Sequence, residues 1–171
     1  MTVKKFSLIT FLWIVLKCFK NLIKKLLTLT HLFLSSRKRP VEKMNWFEAV
    51  EYCLKIGKRL PSEWECAARS GNTTKFIGER KIPSCTVGLI KTQPIGQKKP
   101  NSYGLFDMAG NVWEWTNSHR ESTQGKVLRG GSWRNSMNAM QSFKWITSLP
   151  IHRFHYVGFR YATSKLPTRN N

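Results

Sequence analysis

Acidic residues are scarce in this chain. Nine Asp and Glu stand against 29 Lys and Arg in 171 residues, a net charge of +20. Cysteine is scarce as well, and none of Cys18, Cys53, Cys66 and Cys85 belongs to a C-x-x-C pair. That argues against a zinc ribbon or a thioredoxin-type redox centre. Cys53 and Cys66 fall in helix-like stretches and read as buried thiols. From Thr86 to the C-terminus there is no cysteine at all. Long apolar runs are missing too. Phe6–Leu16 and Leu26–Ser36 hold eleven residues each, short of the roughly twenty that a spanning helix needs. No zinc-finger spacing, helix-turn-helix pattern or aromatic-basic RNA motif is present, so the basic balance does not point to a specific nucleic-acid partner.

What the chain does have is enough apolar material for a packed core: 41% hydrophobic residues and seven tryptophans. The charge divides unevenly. Residues 1–43 hold ten basic residues and one acidic, a far denser charge than in the remainder. Residues 1–38 therefore read as a separate basic and apolar segment, residues 39–163 as the domain, and residues 164–171 as a loose tail. Lys4 and Lys5 before the first apolar run suit an export signal, but no small-x-small cleavage site follows. Lys17, Lys20, Lys24 and Lys25 on one helical face suit contact with anionic lipid. An aberrant start is the remaining alternative.

The domain reads as irregular α+β. Asn45 caps a helix from Trp46 to about Ile56 with an apolar stripe of Trp46, Val50, Cys53, Leu54 and Ile56, ended by Gly57. Ser62 and Glu65 have capping-box spacing for a short second helix that stops at Ser70-Gly71. Residues 71–103 are loop-rich, with Ile82, Val87, Leu89, Ile90 and Ile95 available for burial. Asn117–Gly125 reads as a polar loop and Val127–Arg129 as a strand. Gly130-Gly131 forms a bend, after which Ser132-Trp133 resume the strand. Residues 134–150 fit helix or loop, and Tyr156–Tyr161 a last strand.

The densest stretch is Asn101–Trp115, Asn-Ser-Tyr-Gly-Leu-Phe-Asp-Met-Ala-Gly-Asn-Val-Trp-Glu-Trp. Gly104 and Gly110 mark turns that need positive φ. Trp113, Glu114 and Trp115 suit an extended segment with indoles on one face and the carboxylate on the other. Two readings stay open. The oxygens of Asp107 and Glu114 converge with turn carbonyls on a hard cation, or the tryptophans fill the core while Glu114 meets an arginine, with Arg160 its natural partner. His152 and His155 precede a strand without nearby carboxylates and read as structural. Ser132 has no evident general base.

In order and spacing, Asn45–Val50, Gly57–Pro61, Glu63–Arg69, Tyr103–Trp115, Arg129–Trp133 and Gly158–Arg160 resemble the sulfatase-modifying-factor, or formylglycine-generating enzyme, family. The resemblance implies its C-type-lectin-like fold: little regular structure, two helices and a small twisted antiparallel sheet. It implies calcium held by Asp107, Gly110, Val112 and Glu114. It also implies, for the family's oxidases, conversion of a sulfatase cysteine to formylglycine on Cu(I) held by two cysteines shortly after the Gly-Gly-Ser turn. The corresponding stretch, Arg134–Lys144, contains none. Asn135 stands near the first position, and the thioethers of Met137 and Met140 cannot replace a nucleophilic thiolate. The expectation is a non-oxidase, calcium-stabilised module that binds a protein, peptide or glycan on its loop face. The alternatives are an oxidoreductase of the family or a degenerate, truncated member. Ergothioneine-type sulfoxide synthesis would require an iron-binding domain for which the chain has no room.

Overall fold

The computed structural model describes residues 39–71, 73, 76, 91–121 and 123–162. The expectations for residues 1–38, for Ile82–Ile90 and for the tail lie outside the described residues. None of the described helices is long and apolar enough to cross a membrane.

Helix α1 spans Trp46–Lys55. Its start is the expected one: the Asn45 side chain accepts from the Glu48 N–H, and the Glu48 carboxylate accepts from the Asn45 N–H, both at 2.9 Å. This reciprocal box satisfies two donors that a helix start leaves unpaired. The buried face is Ala49, Tyr52 and Cys53, whereas Leu54 is 68% exposed. The expected stripe is therefore rotated, because Tyr52 takes the inward position and packs edge-on against Phe159. Burial pushes the Cys53 thiol up to about 12.

Helix α2, Trp64–Arg69, departs from expectation at its N-terminus. Its N-cap is Glu63, without a side-chain cap bond. The Ser62 hydroxyl and N–H donate instead to the Glu63 carboxylate, which also takes a fork of hydrogen bonds from Arg59. The arginine draws Glu63 away from the helix, and the capping box of Ser62 with Glu65 does not form. At the other end Ser70 adopts the left-handed conformation, φ +46°, where the chain was expected to turn.

Four strands follow: β1 Trp113–His119, β2 Lys126–Arg129, β3 Trp145–Ser148 and β4 Val157–Phe159. They line up as β3-β2-β1-β4. β1/β2 and β2/β3 are antiparallel, while β4 runs parallel to β1, so the sheet is mixed. The α+β class stands. β1 continues through residues read as loop, with an irregular register between Trp115 and His119. Gly130 and Gly131, at φ +96° and +74°, take the chain out of the sheet, so Ser132 and Trp133 do not resume the strand. The ambiguous stretch resolves into a 3-10 turn, Met137–Met140, followed by β3.

The alternation along β1 sorts two cores. Trp113 and Trp115 join Val41, Met44, Tyr52, Cys53, Leu128, Val157 and Phe159. On the other side Trp64, Ala67 and Ala68 of α2 pack with Leu105 and Met108. Glu114 points to this second side, beneath Trp64.

Candidate functional site

The loop before β1 is shaped by amides. The Asn101 Nδ2 donates to the carbonyls of Ala67 and Ala68, and its Oδ1 accepts from the N–H groups of Tyr103 and Leu105. One side chain thus caps the end of α2 and winds the next turn. Gly104 and Gly110 adopt positive φ as expected. Asp107 (φ +54°) and Asn111 (φ +70°) do so as well, which Asx side chains tolerate because they bond locally. The Asn111 amide pairs with both backbone groups of Gln93, and its carbonyl accepts from Trp133. The Asp107 Oδ2 accepts from the Gly96 N–H at 2.8 Å. Together these bonds pin the loop around residue 95 and the Gly-Gly turn onto the start of β1.

At the centre lies Glu114, 1% exposed. Its Oε2 accepts from Arg160 Nε at 2.5 Å and from Trp64 Nε1 at 2.7 Å, and its Oε1 accepts from Arg160 Nη2 at 2.8 Å. The same Nη2 donates to the carbonyl of Phe106 at 3.1 Å, with that of Asp107 at 3.4 Å. Arg160 is also 1% exposed. The expected pairing of Glu114 with Arg160 is therefore present, and a buried charge is matched by a planar fork. The indole of Trp64, fifty positions away in the chain, was not anticipated. No local pattern carries that information, since α2 must first be placed over β1.

Of the residues expected to hold calcium, Gly110, Val112 and Glu114 are buried and Asp107 is half-buried. Arg160 brings the Asp107 carbonyl and the Glu114 carboxylate to a common guanidinium. The donors are all oxygens, which suits a hard cation in kind. Among the described residues no three His, Cys, Asp or Glu side chains cluster, so such a shell must draw on backbone carbonyls and share Glu114 with Arg160.

The stretch expected to hold copper in an oxidase has a different chemistry. The Asn135 Oδ1 accepts from the Ser132 hydroxyl at 2.6 Å, the Ser132 N–H at 3.1 Å and the Trp113 Nε1 at 2.8 Å. Met140 is fully buried and Met137 is 40% exposed. A Cβ on Gly131 would press on the Ala139 carbonyl and Met140 Cγ, so this segment packs closely under the turn. Its donors are an amide and two thioethers, and they do not fit an ion that two thiolates hold. His152 bonds Ser148 and stacks edge-on to Phe154, while His155 packs against Trp133 and Tyr156.

Comparison with known proteins bears on this arrangement. The family model described as "Sulfatase-modifying factor enzyme 1-like domain" matches residues 27–165. The bovine protein named inactive C-alpha-formylglycine-generating enzyme 2 is 39% identical over 115 residues, 55% of this chain and 38% of that protein. The mouse formylglycine-generating enzyme is 30% identical over 168 residues, 75% of this chain and 45% of that protein. The chain thus spans less than half the length of both. Variable protein 1 of Treponema denticola superposes with a TM-score of 0.73 at 23% identity, covering 87% of this chain and 82% of that one, a likeness of fold alone. With the Gly-Asn-Val-Trp-Glu-Trp strand and the Gly-Gly-Ser turn in place around a C-type-lectin-like core, the chain belongs to the sulfatase-modifying-factor, or formylglycine-generating enzyme, family.

Proposed function

We propose that this protein is a non-oxidase member of its family, a calcium-stabilised lectin-type module that binds a protein, peptide or glycan. The observation that carries the first part is Asn135. Its oxygen takes three donors and serves as a structural bracket between the Gly-Gly-Ser turn and β1. With no thiol in residues 134–144, there is neither a soft pair for Cu(I) nor a thiolate to exchange with a substrate cysteine. The similarity to a relative named inactive supports the same reading. Calcium rests on the hard-oxygen character of Asp107, the Gly110 and Val112 carbonyls, and Glu114. There it would tie the loop to β1 and supply no chemistry.

The test is incubation of the full chain with copper, oxygen and a Cys-x-Pro-x-Arg peptide, followed by mass spectrometry. The peptide cysteine is expected to stay unconverted. Appearance of formylglycine above the level of a protein-free control would refute the proposal.

A further inference from the structure

The arginines on the α2 side of the sheet are unequally employed. Arg69 and Arg129 both pair with Glu65, at 2.9 and 3.2 Å. Arg129 also donates to the carbonyl of Phe143 at 2.8 Å. Its pKa is lowered, first by burial and then, against the pull of Glu65, by the nearby positive charges of Arg120 and Arg69. Arg120 is different. It is exposed, and its guanidinium lies 4.0 Å over the ring of Trp145 with no hydrogen bond or ion pair among the described residues. Trp145 is the register partner of Arg129 across β2 and β3, so the stacked pair and the two paired arginines share one face.

The indole holds the guanidinium in place at 4.0 Å while the side chain stays exposed, so part of the cost of ordering its fork for a ligand is already met. We propose that this face binds an acidic peptide segment, with one carboxylate in the fork of Arg120 and a neighbouring apolar side chain against the half-buried Trp145. A polysulfated chain suits it less. Such a ligand needs an unbroken run of uncompensated cations, and here Glu65 sits between two of the three arginines, with the exposed Glu121 following Arg120. Among the described residues, one open fork beside an aromatic ring matches a single carboxylate beside an apolar residue. The inference rests on the binding-module reading and names its partner class and surface.

The test uses the full chain and a fluorescent peptide of alternating Glu and Leu, read by anisotropy at low salt, with its Gln-for-Glu counterpart and with sulfated dextran. The Glu peptide is expected to bind, and the Gln peptide to bind at least about tenfold more weakly. Arg120→Gln should weaken the Glu peptide by about tenfold or more, and Arg120→Lys should recover only part, having charge without the fork. Trp145→Leu should weaken it as well, with Arg120→Gln as the decisive variant because Arg120 is exposed and folding does not lean on it. Overlapping titrations of wild type and Arg120→Gln, or equal binding of both peptides, would overturn the proposal. So would Arg120-dependent binding of sulfated dextran without binding of the Glu peptide. Formylglycine formation on the same preparations would strike the underlying reading. Its absence together with no peptide binding would strike this surface alone.

Discussion

Glu114 and Arg160 show what one buried pair asks of its neighbours. A carboxylate and a guanidinium that are both 1% exposed are tolerable only while each keeps the other, because desolvation of either alone is costly. Glu114→Gln should therefore lower the unfolding free energy by about 3–5 kcal/mol in urea titration, while Glu114→Leu combined with Arg160→Met should recover much of that loss. Asn135 makes a similar case with neutral groups. Asn135→Ala strips an acceptor from Ser132 and from the indole of Trp113, and it should cost about 2–4 kcal/mol by the same measurement. The partnership of Glu114 and Arg160 was legible in the sequence, since a core acid between tryptophans needs a cation. The bracket made by Asn135 was not, because its three donors come from a turn and a strand whose meeting is a matter of tertiary packing.

Among the elements, α1 and α2 were both legible to within a residue, but the cap of α2 was not. Both begin with a capping pattern. Glu48 keeps its box with Asn45 although Arg153 also grips its carboxylate, whereas Arg59 competes at α2 by holding Glu63, to which Ser62 then donates in place of the expected box with Glu65. That competition has a pH signature. Burial pushes Glu63 up, but the hydrogen bonds from Arg59 and Ser62 outweigh it and set the carboxyl at about 2, against an ordinary 4.5. Its contribution is fully present above pH 4.5 and is lost as the pH falls toward 2. With Arg59 36% and Glu63 26% exposed, screening reduces the effect to about 1 kcal/mol. Glu63→Gln should remove that part of the acid-side slope in unfolding free energy while leaving the slope above pH 5 unchanged. β3 escaped sequence reading for another reason. Trp-Ile-Thr-Ser is half-buried at all four positions, so no alternation marks it. β4 is placed by Gly158, where a Cβ would overlap the carbonyl of Val41; Gly158→Ala should destabilise by about 2 kcal/mol or more, since backbone rather than a side-chain tip must move.

At the scale of the molecule, the fold class followed from motif order, because the Trp-Glu-Trp strand and the Gly-Gly turn are useful only where a lectin-type core brings them together. The parallel docking of β4 and the register of the sheet did not follow, since neither is encoded by a local pattern. The same core frames the last prediction. The Asp107 loop hangs between Gly96 and β1 on a few hydrogen bonds, and Arg160 already supplies one positive charge there. If calcium binds these oxygens, it stabilises the folded state by linkage, about 2.7 kcal/mol at a hundredfold excess over Kd. For a chain of this size that is a rise in Tm of about 5–10 °C. Asp107→Ala should abolish most of the rise, read as the difference with and without calcium, while itself costing about 1–2 kcal/mol, because it forfeits the bond from Gly96 and leaves Ala in the left-handed conformation at φ +54°. Magnesium should fail to substitute at the same concentration, as it demands tighter octahedral geometry and sheds water reluctantly. An unchanged Tm across millimolar calcium would mean that Arg160 alone balances Glu114, and that Asp107 serves the turn rather than an ion.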